Sequence, residues 1–198
     1  MSDLVENPSV GFASWLLGSL DQWPGGLASR VLAEYRRAIE GVAETIGAGT
    51  VWKEAPRILR TVYLQRGFAW NGIYAQSGET LRLFSAAGPP VCAELSRRGG
   101  LGTSGMCWDA ILMNQTLASP DVKRWPGYVS CDDDSGLRTV SGLVCPIRNG
   151  AGTPIAVWDL DCTAPLLPED PLFFDRVFAT LSAVVRPTSA DFGEGGPA

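Results

Sequence analysis

Histidine does not occur in this 198-residue chain. That absence excludes Ser-His-Asp and Cys-His pairs, histidine metal ligands and c-type haem attachment. The cysteines form no C-x-x-C pair, so no metal is expected either. Proton transfer must fall to Asp, Glu, Cys, Tyr or water. A basic surface is also missing. The sixteen Lys and Arg are outnumbered by twenty-one Asp and Glu, for a net charge of −5. The pairs Arg36-Arg37 and Arg97-Arg98 stand alone, so nucleic acid is not an expected partner. No apolar run approaches a membrane span, and Met1-Ser-Asp-Leu-Val-Glu6 lacks the positive region of a signal peptide. The expectation is a cytoplasmic protein without membrane contact. In that compartment Cys92, Cys107, Cys131, Cys145 and Cys162 stay reduced unless a catalytic cycle oxidises them.

What is present is ordinary globular composition, 45% apolar and 19% charged, in a length that suits one domain. Residues 1–26, with Trp23-Pro24 and Gly25-Gly26, read as a loosely structured N-terminal arm. Leu27, Val31, Tyr35, Ala38, Val42 and Ile46 recur at helical spacing and stop at Gly47 and Gly49. Pro56 suits the first turn of a second helix bearing Ile58, Leu59, Val62 and Tyr63. At Phe68 the period changes. Phe68–Tyr74 and Leu81–Phe84 flank Gln76-Ser-Gly-Glu79 as a hairpin. Residues 88–138 are rich in Gly, Pro, Ser and Asp, with a short helix expected at Cys107–Met113 and a strand at Thr116–Ala118. Strands Thr139–Ile147 and Pro154–Asp161 meet at Asn149-Gly-Ala-Gly152. A last helix begins near Pro168 and buries Phe173, Phe174, Val177 and Phe178, and residues 187–198 read as a disordered tail. Hairpins framed by helices give an α+β domain, an antiparallel sheet covered by helices from both ends of the chain.

Three features carry chemistry. The first is the thiol set Cys92, Cys107 and Cys131 in the irregular middle of the chain, where loops favour function over packing. Cys145 and Cys162 fit the ordinary role of free cysteine as a small buried hydrophobe. The second is Trp158-Asp159-Leu160-Asp161, whose alternation points both carboxylates to one face. The third is Trp70-Asn-Gly-Ile-Tyr74, an aromatic pair sharing a strand face. Cys131 is followed directly by Asp132-Asp-Asp134, and negative neighbours reduce thiolate rather than supply it.

Together Gly105-Met-Cys107, Ser119-Pro-Asp-Val122, Trp125-Pro-Gly-Tyr-Val-Ser-Cys131-Asp132 and Ala156-Val-Trp-Asp159-Leu-Asp161 resemble the free methionine-R-sulfoxide reductases, which are stand-alone GAF domains. The resemblance runs from about residue 27 to 186, the expected catalytic domain. It implies that Cys131 is the nucleophile, Cys92 the first resolving thiol and Cys107 the second, with Cys107 the other candidate for attack. Oxidation would then join Cys131 to Cys92 or Cys107. Trp70 and Tyr74 match the aromatics that cage substrate, Asp159 and Asp161 match two substrate-binding acids, and Asp132 beside Cys131 is a further candidate for binding substrate. A sulfoxide sulfur is a poor electrophile until its oxygen is protonated, so acids beside thiols serve this chemistry. The resemblance implies a small-molecule substrate, no bound cofactor, a thioredoxin-type reductant and a homodimer.

The chain departs from that family at several places. An insertion around Arg98–Ser104 separates Cys92 from Cys107, and extra residues separate Cys131 from Pro146. Tyr128 replaces a common histidine, and Gly142 stands where the family carries a substrate-holding glutamate. The missing side chain suggests a wider site that accepts a bulkier molecule, and a Gly142→Glu change that improves methionine sulfoxide. Two other functions fit the same residues. One is a biosynthetic GAF enzyme acting on another S-oxide or an N-oxygenated metabolite. The other is a non-enzymatic GAF sensor, although Cys131 lacks the following histidine of bilin-binding GAF domains.

Overall fold

The computed structural model describes residues 52–53, 56, 68–89, 91–131, 136–168, 170–172, 174–175 and 187–193. The expected arm at 1–26 and the helix starting at Leu27 lie outside the described residues. Most of the helix expected after Pro168 does too, although 170–172 and 174–175 are helical. The described core is one antiparallel sheet of six strands in the order β3-β2-β1-β6-β5-β4. The strands are β1 (Phe68–Ser77), β2 (Thr80–Ala87), β3 (Glu94–Ser96), β4 (Leu117–Ser119), β5 (Ser141–Arg148) and β6 (Pro154–Cys162). Helix α1 (Met106–Met113) precedes β4, and one-turn 3-10 helices cover Val122–Arg124 and Ser189–Phe192. Both expected hairpins and the short helix are present. The expected strand at 116–118 is β4, and only β3 is additional.

Local chemistry explains the turns. Gly78 takes φ 58° between β1 and β2, where a side chain would be strained. Between β5 and β6 the Asn149 side-chain oxygen accepts from the N–H groups of Ala151 and Thr153, both at 3.0 Å. Pro146 has no N–H, and β4 pairs only with Gly142–Val144, so no bond to β4 is lost. Helix α1 ends where Asn114 adopts the left-handed conformation, φ 51°.

Alternation sorts the side chains into two layers. On the α1 side Trp70 and Tyr74 of β1, Leu81 of β2, Val144 of β5 and Val157 of β6 pack with Cys107, Trp108, Ala110 and Ile111. The opposite side holds Ile73, Leu143, Cys145, Trp158 and Leu160, all buried. There Asn71 is the polar pivot: it accepts from Trp158 Nε1 at 3.0 Å and donates to Pro56 O at 2.9 Å. Along β5 the side chains are buried almost throughout instead of alternating, as in a sheet covered on both faces.

Residues 187–193 correct the expectation of disorder for that part of the tail. Thr188 and Asp191 form a reciprocal capping box. Phe192 is buried, its ring centroid 5.2 Å from Phe84 and 5.8 Å from Trp52. A single aromatic anchor was enough to order a segment whose composition is that of a tail.

Two glycines seat the Trp70 indole. A Cβ on Gly72 would lie 2.5 Å from the Trp70 ring, and one on Gly88 would also lie 2.5 Å from it. Gly72→Ala therefore overpacks the layer and should cost about 1–3 kcal/mol in a denaturant titration. A shifted tryptophan fluorescence maximum should accompany the loss; an unchanged midpoint would mean the ring has room to move.

Candidate active site

The α1 face of the sheet leaves a cavity of about 70 Å³. Trp70, Tyr74, Cys107, Cys131, Asp159 and Asp161 all line it. Its position follows from strand register: on β1 and β6, Trp70 pairs with Asp161 and Gly72 with Asp159. Trp70, Gly72 and Tyr74 face the same way as Asp159 and Asp161. Both aromatics are almost wholly buried, so they are core and cavity wall at once. Their ring centroids are 6.1 Å apart, tilted by 41°.

Cys92 and Cys131 are joined in a disulfide, with Cα atoms 5.3 Å apart across 39 residues of chain. Of the two pairings open to Cys131, the structure holds the one with Cys92. The Tyr74 hydroxyl donates to Cys92 O at 2.8 Å, which ties the aromatic wall to the disulfide. Burial, followed by the charge of Asp159, keeps that phenol protonated. Cys145 and Cys162 are buried thiols outside any disulfide, on the opposite side of the sheet, as a packing role requires. Asp132 lies outside the described residues.

Cys107 remains a thiol and donates to Asp159 Oδ2 at 3.2 Å. Burial pushes its pKa well above the ordinary thiol value, and the adjacent Asp159 charge pushes it further. Asp159 is itself pushed up to about 6, chiefly by burial, while the bonds from Cys107 and the Leu160 backbone partly oppose the shift. Asp159 lines the cavity and is partly exposed. The pair is a proton store: a neutral thiol on a carboxyl group that titrates near neutrality. No Lys or Arg is among the described lining residues. Among the described residues there is no cluster of His, Cys, Asp or Glu that could hold a metal ion.

Gly142 faces the cavity, but the site is not widened there. A Cβ at 142 would meet Val122 Cγ1 at 2.9 Å and Asp161 Oδ1 at 3.7 Å. Val122, from the 3-10 turn before Trp125, fills the space that a longer side chain would occupy. The expectation of a roomier site is corrected accordingly, because an isolated sequence position does not reveal what packs over it. The sequence reading also missed Asp109 and the wall formed by Ser104 and Gly105. Asp109 accepts from Gly102 N–H at 2.9 Å and from Trp125 Nε1 at 2.7 Å. The only signal for it was an acid two residues after Cys107 in a helix first turn, where the helix dipole alone would explain it.

The Asp159 shift has a consequence for stability. Its folded pKa exceeds its ordinary value of 3.8, so folding favours the protonated form. That contribution is full below about pH 4 and is lost as pH rises through about 6. Asp159→Asn keeps the acceptor oxygen and removes the charge. It should be more stable than the parent above pH 6, by at most about 3 kcal/mol and less where cavity water solvates the carboxylate. The advantage should vanish near pH 4; an excess independent of pH in parallel urea titrations would contradict it.

No family model matches the chain. It is 32% identical to the free methionine-R-sulfoxide reductase of Saccharomyces cerevisiae over 96 residues, 47% of this chain and 48% of that protein. It is 34% identical to the GAF domain-containing protein A of Dictyostelium discoideum over 98 residues, 49% of this chain and 56% of that protein. The matched stretch thus spans about half the length of these curated relatives. Among solved structures, the type II free methionine-R-sulfoxide reductase from Thermoplasma acidophilum aligns with TM-score 0.55 and 24% identity, covering 71% of this chain and 90% of that one. The free methionine-R-sulfoxide reductase from Neisseria meningitidis, solved with its substrate, aligns with TM-score 0.56 and 22% identity, covering 67% and 74%. By fold this chain is a GAF domain, and in sequence it is similar to the free methionine-R-sulfoxide reductases as a divergent relative.

Proposed function

We propose that this protein is a thiol-dependent reductase of a small S-oxide. The observation that carries the reading is the Cys92–Cys131 disulfide, with Cys131 on the wall of a cavity that also holds Asp159 and Asp161. The similarity to free methionine-R-sulfoxide reductases supports sulfoxide reduction as the reaction class.

In the reduced protein the Cys131 thiolate attacks the substrate sulfur, while the protonated fraction of Asp159, whose pKa is pushed up to about 6, supplies a proton to the oxygen. Cys92 then attacks Cys131 and closes the disulfide. Overall two thiols and one S-oxide become one disulfide, one thioether and one water. Two electrons pass from the thiols to sulfur, and the two thiol protons leave in the water. Cys131 is the better attacker, because Cys107 is buried and held as a neutral thiol by Asp159. Cys107 then serves as the second resolving thiol and as the donor that orients Asp159.

Two carboxylates on the cavity wall favour a substrate with a positive group, gripped by Asp161. Trp70 and Tyr74 offer aromatic faces to its thioether end. The regenerating reductant is a thioredoxin-type dithiol. The small cavity favours a free metabolite over a methionine within a protein chain.

With a dithiol reductant, Cys131→Ser should abolish turnover, because a hydroxyl is a far weaker nucleophile at sulfur. Cys145→Ser and Cys162→Ser should retain most activity. Near-normal turnover by Cys131→Ser would move the attack to Cys107. A thiol count unchanged by every S-oxide tested would favour a ligand sensor instead.

Gly142→Glu alone should lower activity toward free methionine-R-sulfoxide, because the new side chain collides with Val122. Adding Val122→Ala should recover or exceed the parent kcat/KM by making room for the carboxylate. Gain of activity by Gly142→Glu alone would show that Val122 moves aside freely.

A further inference from the structure

Two irregular loops form the wall of the cavity that carries Cys131. Residues 98–105 supply Ser104 and Gly105, and residues 125–131 supply Tyr128, Val129 and Cys131. Neither loop pairs with the sheet. They touch each other directly. Gly127 has φ 65°, and a Cβ there would lie 2.6 Å from the Thr103 carbonyl carbon. They are also joined through one side chain. Asp109 of α1 is 3% exposed and gives one oxygen to each loop: Oδ1 accepts from Gly102 N–H at 2.9 Å, Oδ2 from Trp125 Nε1 at 2.7 Å. Among the described residues no Lys or Arg pairs with it.

A carboxylate buried against two neutral donors is a costly choice for packing alone. Its particular ability is to accept from two directions at once. An amide of the same shape would present its NH2 group to one of the two donors. We propose that Asp109 is a positioning residue that clasps the two loops together and so sets Cys131 within bonding reach of Cys92. The inference rests on the reductase reading only in treating Cys92–Cys131 as the working couple.

Geometry makes the couple sensitive to such a clasp. The Cα atoms are 5.3 Å apart, and beyond about 7 Å no disulfide closes without backbone movement. Within the loop that carries Cys131, Trp125 N–H bonds to Val122 O at 3.0 Å and Tyr128 N–H bonds to Trp125 O at 3.1 Å. Both bonds are local to the loop and its preceding turn. The Trp125–Asp109 bond ties it to α1, two residues from Cys107. Loosening it lets Cys131 explore more volume and lowers its effective concentration at Cys92.

The test is a glutathione titration of the full chain, with the Cys92–Cys131 disulfide quantified by alkylation and mass spectrometry. Two protein thiols are oxidised while one glutathione disulfide is reduced to two glutathiones. No S-oxide is present, so the result does not depend on the proposed activity. Asp109→Asn should lower the disulfide formation constant at least about tenfold, a midpoint about 30 mV less negative. Trp125→Phe, which removes one donor, should shift it in the same direction by less. The double variant should lose no more than Asp109→Asn alone, because the amide NH2 no longer meets the indole N–H. A merely structural Asp109 would lower the melting temperature of oxidised and reduced forms alike and leave the midpoint unmoved, which would overturn the proposal. Should Asp109→Asn not fold, Trp125→Phe decides: a parental midpoint overturns the clasp, a less negative one supports it.

Discussion

The pairing of β1 with β6 at the centre of the sheet is the constraint on which the site depends. It sets Trp70 beside Asp161 and Gly72 beside Asp159. The side-chain period of a strand is two, so a slip of one residue would turn both acids to the opposite layer and bring Trp158 and Leu160 into the cavity. The register is held on that opposite layer by a polar bond, Trp158 Nε1 to Asn71 Oδ1, between the same two strands. On the cavity side it is held by the fit of the Trp70 indole onto Gly72 and Gly88. The acids are aligned by features that lie outside the chemistry.

Around that frame, the three thiols of the irregular middle are set apart by their surroundings. Cys107 sits on α1 under the sheet, and burial and Asp159 keep it neutral. Cys131 sits on a loop at the cavity wall, and Cys92 lies on a neighbouring loop, close enough to bond with it. Burial thus separates a neutral thiol from a bonded pair. The same burial raises Asp159 toward neutrality, where a carboxyl group can give up a proton to an S-oxide oxygen. Under the proposed reaction, acids near a reactive cysteine cease to be a contradiction: they lower the thiolate fraction, but reduction of an S-oxide also consumes protons.

Much of this could be read from the sequence where a signal is local. Apolar runs flanking turn signals marked β1, β2, β5 and β6, and the alternation of Asp159 with Leu160 put both acids on one face. The cysteines at 92, 107 and 131 stood out from 145 and 162 by their irregular surroundings. What could not be read depends on contacts far apart in the chain. Val122 fills the corner over Gly142 from a turn twenty residues earlier. Asp109 joins loops whose meeting no spacing reveals. Three-residue β3 is too short for periodicity to mark. Phe192 orders a segment of tail-like composition only because Trp52 and Phe84 leave a seat for it.

The central claim, that Cys92 and Cys131 form the couple that reduces an S-oxide, is tested most directly by one turnover without a reductant. Fully reduced protein would be mixed with excess of an S-oxide carrying an 18O label on sulfur, and its thiols mapped after quenching. The account predicts one thioether per chain, the label in water, and the loss of two thiols recovered as a Cys92–Cys131 disulfide. Thioether formed with Cys92 and Cys131 still reduced, or no thioether and no loss of thiols across cationic S-oxides, would contradict it.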